Sequence, residues 1–368
     1  MKIRDVTVKT VEVPLTRVFV GSTYQVPSRC TVIVRLETDE GVTGEIYSGD
    51  ERANYRLMKE LILERFKPLL IGEDPLAVER IWSKLFELTP HIANKEAAMR
   101  ALGAVDLAVW DLIGKALDTP VHRLLGGCKT EIPIIGYTYF EDGNDPGSEA
   151  EVALQQKEQG YAGTKLKVGD NVVSRDIKRV EAVRNAVGGD FILACDANRA
   201  WTVDQALEFA RSVADLDLAW LEEPVRWHNE VDGMSRVRSS GLVPVTAGQS
   251  EISGSGCMNL MRAEAVDYLN VDASIAGGIT EWKRIAAAAS FYGVGMVHHE
   301  EPQVSIHLLS AIPHGYCAEL FHDPVRDPVW HQMYLDHPEP KNGHISPPDR
   351  PGLGIQIDHE FVERYLVE

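Results

Sequence analysis

Short, β-rich apolar segments alternate with longer helical segments from about residue 131 onward. Residues 163–169 (GTKLKVG) and 190–198 (DFILACDAN) are typical, because each is largely apolar and then ends in polar residues. Strand–helix alternation predicts a parallel sheet, and six or more such units in series favour a β/α barrel over an open sheet. The same pattern returns at residues 218–224, 242–249, 265–272 and 294–300.

The first ~125 residues have a different pattern. Residues 3–13 and 30–37 are β-rich and predict two strands, whereas the segment from Val18 to Ser28 contains Gly, Ser, Tyr and Pro and predicts a loop. Helices follow, and a small sheet followed by helices is an α+β arrangement. The predicted helices cover residues 52–70, 75–88 and 95–117, the last of which ends before Pro120.

These patterns divide the chain of 368 residues into three parts. An α+β domain is predicted over residues 1–125 and a β/α barrel over residues 126–325. The remaining segment, residues 326–368, is rich in Pro, Gly and His. We expect it to pack against the N-terminal domain. The length suits one large barrel with an attached domain.

Polar residues end the successive barrel strands at intervals of 20 to 31 residues, which is the length of one βα unit. In a β/α barrel the carboxyl ends of the strands meet at one mouth, so residues far apart in sequence form one site. The residues at these positions are Lys165, Asp196, Glu222, Gln249, Asp272, His299 and Glu319.

Acidic and amide side chains at three consecutive strand ends suggest a metal site. Asp196, Glu222 and then Gln249 or Glu251 offer hard oxygen ligands, which suit Mg²⁺. The alternative is that each acid caps the following helix or forms a local ion pair. Three such residues in register on neighbouring strands favour the metal.

Lys165 and Lys167 form a K-x-K pattern on one predicted strand. Because side chains alternate along a strand, both point the same way, here toward the barrel mouth. One lysine can hold a substrate carboxylate or lower the pKa of the other, which can then act as a base. A solvated strand end is the simpler alternative.

Asp272 and His299 lie at the next two strand ends, where a carboxylate can fix the tautomer of an imidazole and raise its basicity. His298 competes for this role, although adjacent residues on a strand point to opposite faces. His307 and His314 are expected to be structural.

Together these residues suit removal of a proton beside a carboxylate. Loss of that proton creates a doubly charged enolate, which a divalent cation can stabilise while a lysine and a His–Asp pair move protons. Glu319 could donate a hydrogen bond to the enolate if its pKa is raised, or it could form an ordinary ion pair. The expected partner is a small-molecule carboxylate substrate.

Composition and sequence patterns argue against several other functions. The net charge of −18 argues against a nucleic-acid partner, because phosphates attract Lys and Arg. No run of 18 apolar residues predicts a membrane span, and the N-terminus lacks the pattern of a signal peptide. Five scattered cysteines without a C-x-x-C pair predict a reduced, cytoplasmic protein without a zinc site.

Four stretches of the chain resemble the mandelate racemase subgroup of the enolase superfamily. The resemblance covers essentially the whole chain, and its motifs are specific for the family but not for a substrate. The stretches are residues 101–115 with 120–127, residues 220–224 (WLEEP), Asp272 with Gly277 and Gly278, and His299 with residues 305–309.

The resemblance implies a modified TIM (β/α)7β-barrel with an α+β N-terminal capping domain, a Mg²⁺ cofactor and a homo-oligomer. It implies that Lys167 is a base on one face, with Lys165 its partner. It also implies that His299, paired with Asp272, is the acid or base on the other face.

The remaining roles are also carried over from the family. Asp196 and Glu222 would bind Mg²⁺, Asn198 would contact substrate, and Glu319 would donate a hydrogen bond to the substrate carboxylate. Loops near residues 15–30 and 45–55 would close the site and select the substrate. The lid candidates are Phe19, Tyr24, Tyr47 and Glu51, with Tyr24 and Tyr47 as candidates for substrate binding.

One position departs from the family pattern. The third metal ligand is usually Glu directly after Gly, and here Gln249 follows Gly248. The alignment favours Gln249, whereas charge favours Glu251, two residues further on.

Several reactions remain open. Dehydration of a sugar acid to a 2-keto-3-deoxy sugar acid is the first expectation, because Lys167 and His299 are both present and polar residues near the mouth could bind several hydroxyls. A racemase or epimerase shares the first step, and a lactone cycloisomerase is a further alternative. A non-catalytic binding protein is the remote one, supported only by Gln249.

Overall fold

The N-terminal part of the chain is an antiparallel sheet with helices in the computed structural model, which describes residues 1–140 and 146–367. Strand β1 (Ile3–Val20) pairs with β2 (Gln25–Thr38), which pairs with β3 (Thr43–Tyr47). Alternating apolar side chains of these strands are buried against the helices that follow.

The first two strands are longer than expected. Residues 18–28 were predicted as a loop, but most of them continue the β1–β2 hairpin, in which Phe19 pairs with Val26. Only residues 21–24 form the turn. The prediction missed this extension because Gly, Ser and Pro lowered the strand signal, while pairing with a neighbouring strand outweighs local propensity.

The predicted helices of this part are present. A π-helical turn (Leu61–Phe66) joins the first two helices just before Pro68, which has no N–H to donate to the preceding turn. The helices are α1 (Tyr55–Glu60), α2 (Lys67–Leu70), α3 (Val78–Phe86), α4 (Lys95–Ala116) and α5 (Val121–Leu124).

Helix α4 connects the N-terminal sheet to the barrel and is buried on nearly all sides. The side chain of Asn94 caps it by accepting a hydrogen bond from Ala97 N at 3.0 Å. Gly103 allows close approach, because an added Cβ would lie 2.7 Å from the carbonyl oxygen of Ser274. Asp106 accepts a hydrogen bond from Thr280 Oγ1 at 2.7 Å, and burial raises the pKa of Asp106 to about 7.

Eight parallel strands form the barrel. The last of them pairs with the first, and the seventh is joined to the eighth by hydrogen bonds from Met296 N to His314 O (2.9 Å) and from Tyr316 N to Met296 O (2.7 Å). The strands are β4 (Ile132–Thr138), β5 (Gly163–Lys167), β6 (Ile192–Asp196), β7 (Trp220–Glu222), β8 (Val245–Ala247), β9 (Tyr268–Leu269), β10 (Gly295–Met296) and β11 (Ala318–Glu319).

One helix follows each of the first seven barrel strands. The start of α8 is encoded locally, because Thr202 and Gln205 form a capping box there. Seven βα units and a final strand confirm the expected (β/α)7β-barrel. The helices are α6 (Pro146–Glu158), α7 (Val173–Val187), α8 (Val203–Ser212), α9 (Glu230–Ser239), α10 (Gly254–Arg262), α11 (Gly278–Tyr292) and α12 (Pro302–Ala311).

After the barrel the chain returns to the N-terminal sheet. Its last strand pairs antiparallel with β1, so that Thr10 lies opposite Val367. No helix in residues 1–140 and 146–367 is long and apolar enough to cross a membrane. The tail elements are β12 (Tyr334–Leu335), β13 (His344–Ile345), β14 (Gln356–Ile357), α13 (His359–Arg364) and β15 (Leu366–Val367).

Candidate active site

Two lysines on strand β5 point into the barrel mouth, as the K-x-K pattern predicts. Lys165 Nζ lies 2.9 Å from Glu222 Oε1 and 2.6 Å from Glu319 Oε1. Lys167 Nζ lies 2.6 Å from Asp196 Oδ2. All five side chains are buried, so each charge is neutralised by a neighbour rather than by water.

The pairing of the strands explains why these groups meet. Lys167 lies opposite Asp196 across β5 and β6, and Asp196 lies opposite Glu222 across β6 and β7. Neighbouring strands are about 4.8 Å apart, and residues in register share one face of the sheet. Three charged residues therefore form one row at the carboxyl ends of three consecutive strands.

The two carboxylates of this row differ in acidity. Burial alone would raise the pKa of Asp196, but Lys167 outweighs burial and holds that pKa below its usual value. For Glu222, burial together with Asp196 and Glu319 outweighs Lys165 and raises the pKa to about 8. Asp196 is therefore the more fully ionised of the two.

Gln249 lies beside this row, at the end of β8. Its Nε2 donates to Glu223 Oε2 at 2.8 Å, and its backbone N–H donates to Asn270 Oδ1 at 3.0 Å. Its Oε1 is buried and has no hydrogen-bond partner among the described residues. A buried amide oxygen without a donor is a place where a cation or a ligand can bind.

Glu251 does not extend into the mouth. It is absent from the residues that line the mouth, and its Oε2 lies so close to Gly256 in α10 that an added Cβ there would overlap it. Burial and the nearby Glu230 raise the pKa of Glu251. The geometry thus favours Gln249 over Glu251 at the position expected for the third ligand.

The donor set fits a magnesium ion, which prefers oxygen ligands and keeps some positions for water or substrate. Asp196 and Glu222 would supply charge, and Gln249 would supply its amide oxygen. Within the described residues, no three His, Cys, Asp or Glu side chains are arranged as a metal site. A cation here would therefore need the Gln249 oxygen in addition to the two carboxylates.

His299 lies across the barrel from Lys167, after strand β10. Its Nδ1 is 3.3 Å from Asp272 Oδ2, while Asp272 Oδ1 accepts hydrogen bonds from Ser274 N (2.8 Å) and Oγ (2.7 Å). Burial would lower the pKa of His299, but Glu300 and Asp272 outweigh burial and raise it to about 9.

His298, the competing candidate, faces the backbone instead. Its Nε2 accepts a hydrogen bond from Ala273 N at 3.0 Å, and its Nδ1 lies 2.9 Å from the carbonyl oxygen of His299. His307 and His314 also contact backbone groups, as expected for structural histidines. Of the adjacent pair, only His299 lines the mouth.

Glu319 lies at the base of the site. Besides Lys165, it accepts hydrogen bonds from the hydroxyl of Tyr137 and from the backbone N–H of Glu300, the latter at 2.9 Å. Sequence reasoning left an ion pair open as the alternative to a catalytic role. The structure shows the ion pair, at the bottom of the same mouth.

Asn198 and Arg199 follow strand β6 in left-handed backbone conformations, with φ of 44° and 62°. The backbone N–H of Asn198 donates to Asp196 Oδ1 at 2.8 Å. The side-chain oxygen Oδ1 of Asn198 lies 3.5 Å from Lys167 Nζ. Arg199 contacts Glu223 at 3.3 Å. Asn198 lines the same cavity as Lys167, and its contact with substrate stays a prediction.

A cavity of about 450 Å³ opens above this constellation. We call it the mouth cavity. Tyr24, from the turn of the β1–β2 hairpin, lines it, and its ring centroid is 5.6 Å from Lys167 Nζ. The residues that line the mouth cavity include Tyr24, Lys167, Asn198, Arg199, Glu223, Gln249, Asp272, Ser274, His299, Glu300, Glu301 and Arg326.

Three other lid candidates lie elsewhere. Tyr47, expected to bind substrate, is buried in the N-terminal domain with its ring centroid 6.3 Å from that of Tyr334. Phe19 packs in an aromatic cluster against Tyr139, and Glu51 pairs with Arg100 at 3.0 Å. None of the three lines the mouth cavity. Strand alternation turns Phe19 and Tyr47 toward the packed side, whereas Glu51 follows the end of β3 and is held by Arg100.

Family models match most of the chain. A model described as the mandelate racemase / muconate lactonizing enzyme N-terminal domain matches residues 3–126, and one described as enolase C-terminal domain-like matches residues 148–361. The chain belongs to the mandelate racemase / muconate lactonizing enzyme family of the enolase superfamily. This family contains dehydratases, cycloisomerases and racemases.

Similar members of this family differ in reaction. An arabinonate dehydratase of Saccharolobus solfataricus is 29% identical over 91% of this chain and 90% of its own. A D-galactarolactone cycloisomerase of Agrobacterium fabrum is 30% identical over 99% of both chains. A solved structure of a family member from a marine actinobacterium, in complex with magnesium, is 41% identical, with a TM-score of 0.93 over 100% of this chain and 99% of that one.

Sequence reasoning missed several charged residues of the mouth cavity. Glu300 and Glu301 directly follow His299, both with φ of 48°. Arg100 and Arg326 enter from α4 and from the tail after β11. The doublet of acids after a strand-end histidine was a visible signal, because it repeats the pattern of Glu222 and Glu223; the two arginines gave no local signal.

Proposed function

We propose that this protein is a magnesium-dependent enzyme that removes the proton next to a carboxylate, and that it dehydrates a sugar acid to a 2-keto-3-deoxy sugar acid. The observation that carries the proposal is the placement of Lys167 and His299. Both line one cavity, from strands on different sides of the barrel, and each is paired with a buried carboxylate.

Each side chain has a defined task in this reaction. Lys165 would hold the substrate carboxylate. In the free protein Asp196 outweighs burial and raises the pKa of Lys167, so Lys167 would first release its proton and would then accept the α-proton at Nζ. His299 would give a proton from Nε2 to the departing β-hydroxyl. Magnesium, held by Asp196, Glu222 and Gln249, supplies positive charge that stabilises the enolate. Tyr24 would exclude water above the site.

Dehydration is preferred because the mouth cavity is strongly polar and one of the similar proteins is named an arabinonate dehydratase. Arg52, Arg100 and Thr23 line the outer part of the cavity, where they could donate hydrogen bonds to several hydroxyls. The second candidate is a lactone cycloisomerase, favoured by the 30% identity over 99% of both chains. A racemase or epimerase would use the same two bases.

A panel of sugar acids, sugar lactones and hydroxy acids, incubated with Mg²⁺, tests the proposal. We expect a 2-keto acid to accumulate from at least one sugar acid. Exchange of the α-proton in D₂O without a 2-keto acid would instead support the racemase or epimerase. Consumption of a lactone but of no free sugar acid would support the cycloisomerase, and no reaction with any compound would overturn the proposal.

A substitution separates the two bases. We expect His299→Asn to abolish turnover of at least one substrate stereoisomer, because the proton donor on that side is removed. A matched control is His314→Asn, since His314 bonds to the carbonyl oxygen of Ala286 outside the cavity. Normal rates of His299→Asn with every stereoisomer would contradict the assignment.

A further inference from the structure

The imidazole of His299 lies between two carboxylates, of which the proposed reaction uses only one. Nδ1 lies 3.3 Å from Asp272 Oδ2, and Nε2 lies 3.5 Å from Glu300 Oε1. Both His299 and Glu300 line the mouth cavity. The nitrogen that would serve the substrate is therefore the one that faces Glu300.

A left-handed backbone conformation, a backbone hydrogen bond and a buried arginine hold Glu300 in this position. Its backbone has φ of 48°, a left-handed conformation that a residue with a side chain adopts at a cost. Its N–H donates to Glu319 Oε2 at 2.9 Å, which fixes the turn. Arg326, almost fully buried, approaches Glu300 Oε1 at 3.9 Å from the other side. Backbone strain retained at a site indicates a required orientation.

We propose that Glu300 is a positioning residue that keeps His299 protonated, so that His299 acts as an acid toward the leaving hydroxyl. The inference rests on the proposed function. It adds the reason why His299 already holds the proton that elimination requires when the C3–O bond breaks. A racemase needs the same histidine in its neutral form for one direction of its reaction, whereas elimination needs the imidazolium.

Charged groups from three different strand ends act on His299. Glu300 and Asp272, which follow β10 and β9, favour the imidazolium, whereas burial and Lys165 on β5 disfavour it. The two carboxylates prevail, and the pKa of His299 rises to about 9. Burial would raise the pKa of the Glu300 carboxyl, but His299 and then Arg326 outweigh burial and lower it, so the carboxylate stays charged.

The step balances with Lys167, His299 and solvent water. Lys167 takes the α-proton, the electron pair of that C–H bond forms the C2–C3 double bond, and the C3–O bond breaks. The departing oxygen takes the proton from His299 Nε2 and leaves as water. The resulting enol becomes the 2-keto acid, Lys167 releases its proton to solvent, and His299 regains a proton from solvent. When substrate binds, its β-hydroxyl takes the place of Glu300 beside His299 Nε2, while Arg326 keeps the Glu300 carboxylate close to the imidazole.

The test measures the pKa of His299 directly by NMR, on protein labelled at histidine, with His299→Asn used to assign the signal. In Glu300→Gln we expect the pKa of His299 to fall by about one unit or more, because an opposite charge within ~4 Å is removed. Glu300→Asn is the second variant, since Asn tolerates the left-handed backbone. The control is Glu96→Gln, which removes a charge at the cavity rim that pairs with Arg100.

Activity gives an independent measurement. With a turned-over sugar acid, the alkaline limb of the kcat profile should move to lower pH by the same amount in Glu300→Gln, and α-proton exchange should increase relative to elimination. An unchanged pKa of His299 in both Glu300 variants overturns the inference, as does an equal shift in Glu96→Gln. A shifted pKa in a protein that dehydrates nothing would instead contradict only the proposed function.

Discussion

Replacing Gln249 with glutamate tests the third position of the donor set. In the free protein, Gln249 Nε2 donates to Glu223 Oε2 at 2.8 Å. The Gln249→Glu variant places a second carboxylate there, and two unit charges at that distance repel by about 6 kcal/mol at an effective dielectric constant of 20. Protonation of one carboxyl limits the loss to about 4 kcal/mol at pH 7 and roughly 1.5 kcal/mol at pH 5.5.

The pH dependence of this stability loss follows from the difference between the pKa of the new carboxyl in the folded state and in the unfolded state. The pKa of the new carboxyl is raised in the folded state, so its destabilising effect is present at neutral pH and disappears as the pH falls toward its unfolded value. Arg199, 3.3 Å from Glu223, offsets part of the repulsion. We therefore expect a loss of about 1–4 kcal/mol at pH 7 in EDTA, measured by urea unfolding, and a smaller loss at pH 5.5.

Magnesium should reverse this loss, because a third charged ligand strengthens the binding of the cation to the folded state only. The chain offers a matched control in Gln303, whose Nε2 donates to Glu301 Oε2 at the same 2.8 Å. Gln303→Glu should be destabilised in EDTA in the same way and should not be rescued by Mg²⁺. Equal behaviour of both variants with Mg²⁺ would refute a cation at Gln249.

Three further outcomes can be checked. Glu222→Gln should abolish activity and weaken Mg²⁺ binding, measured by calorimetry; full activity with unchanged affinity would refute the ligand assignment. Tyr47→Phe should retain both stability and kcat/KM, because the Tyr47 hydroxyl has no hydrogen-bond partner among the described residues. A tenfold loss of kcat/KM would instead show that the Tyr47 hydroxyl acts on the substrate. Burial lowers the pKa of His307 to about 3. Below pH 6.5 the His307 imidazole therefore binds a proton in the unfolded chain but stays neutral in the folded protein. His307→Gln should therefore lose about 2–3 kcal/mol less than the parent protein between pH 7 and pH 4.5 in urea unfolding; an equal acid loss would contradict this reasoning.

The barrel and the row of charges could be predicted because they follow from short-range periodicity. Side chains alternate along β5, so K-x-K placed Lys165 and Lys167 on the same side. The regular spacing of the βα units then placed Asp196 and Glu222 on neighbouring strands, and register between those strands brought them together. These relations are local or repeat along the chain.

The lid and the cavity wall could not be predicted in the same way. Whether Tyr24 or Tyr47 reaches the mouth depends on how the hairpin lies over the barrel, which is a long-range property. The choice between Gln249 and Glu251 depends on how the chain turns after β8. Arg100 and Arg326 come from segments far apart in sequence, and only packing brings them to one wall.

The pairing of β15 with β1 has a consequence for synthesis. The N-terminal sheet receives its outer strand from a segment that follows every strand of the barrel. During translation the barrel sequence therefore leaves the ribosome before the sheet above it can be completed. A nascent chain can therefore pair the strands of the barrel before it can pair β15 with β1, so the N-terminal sheet is completed last.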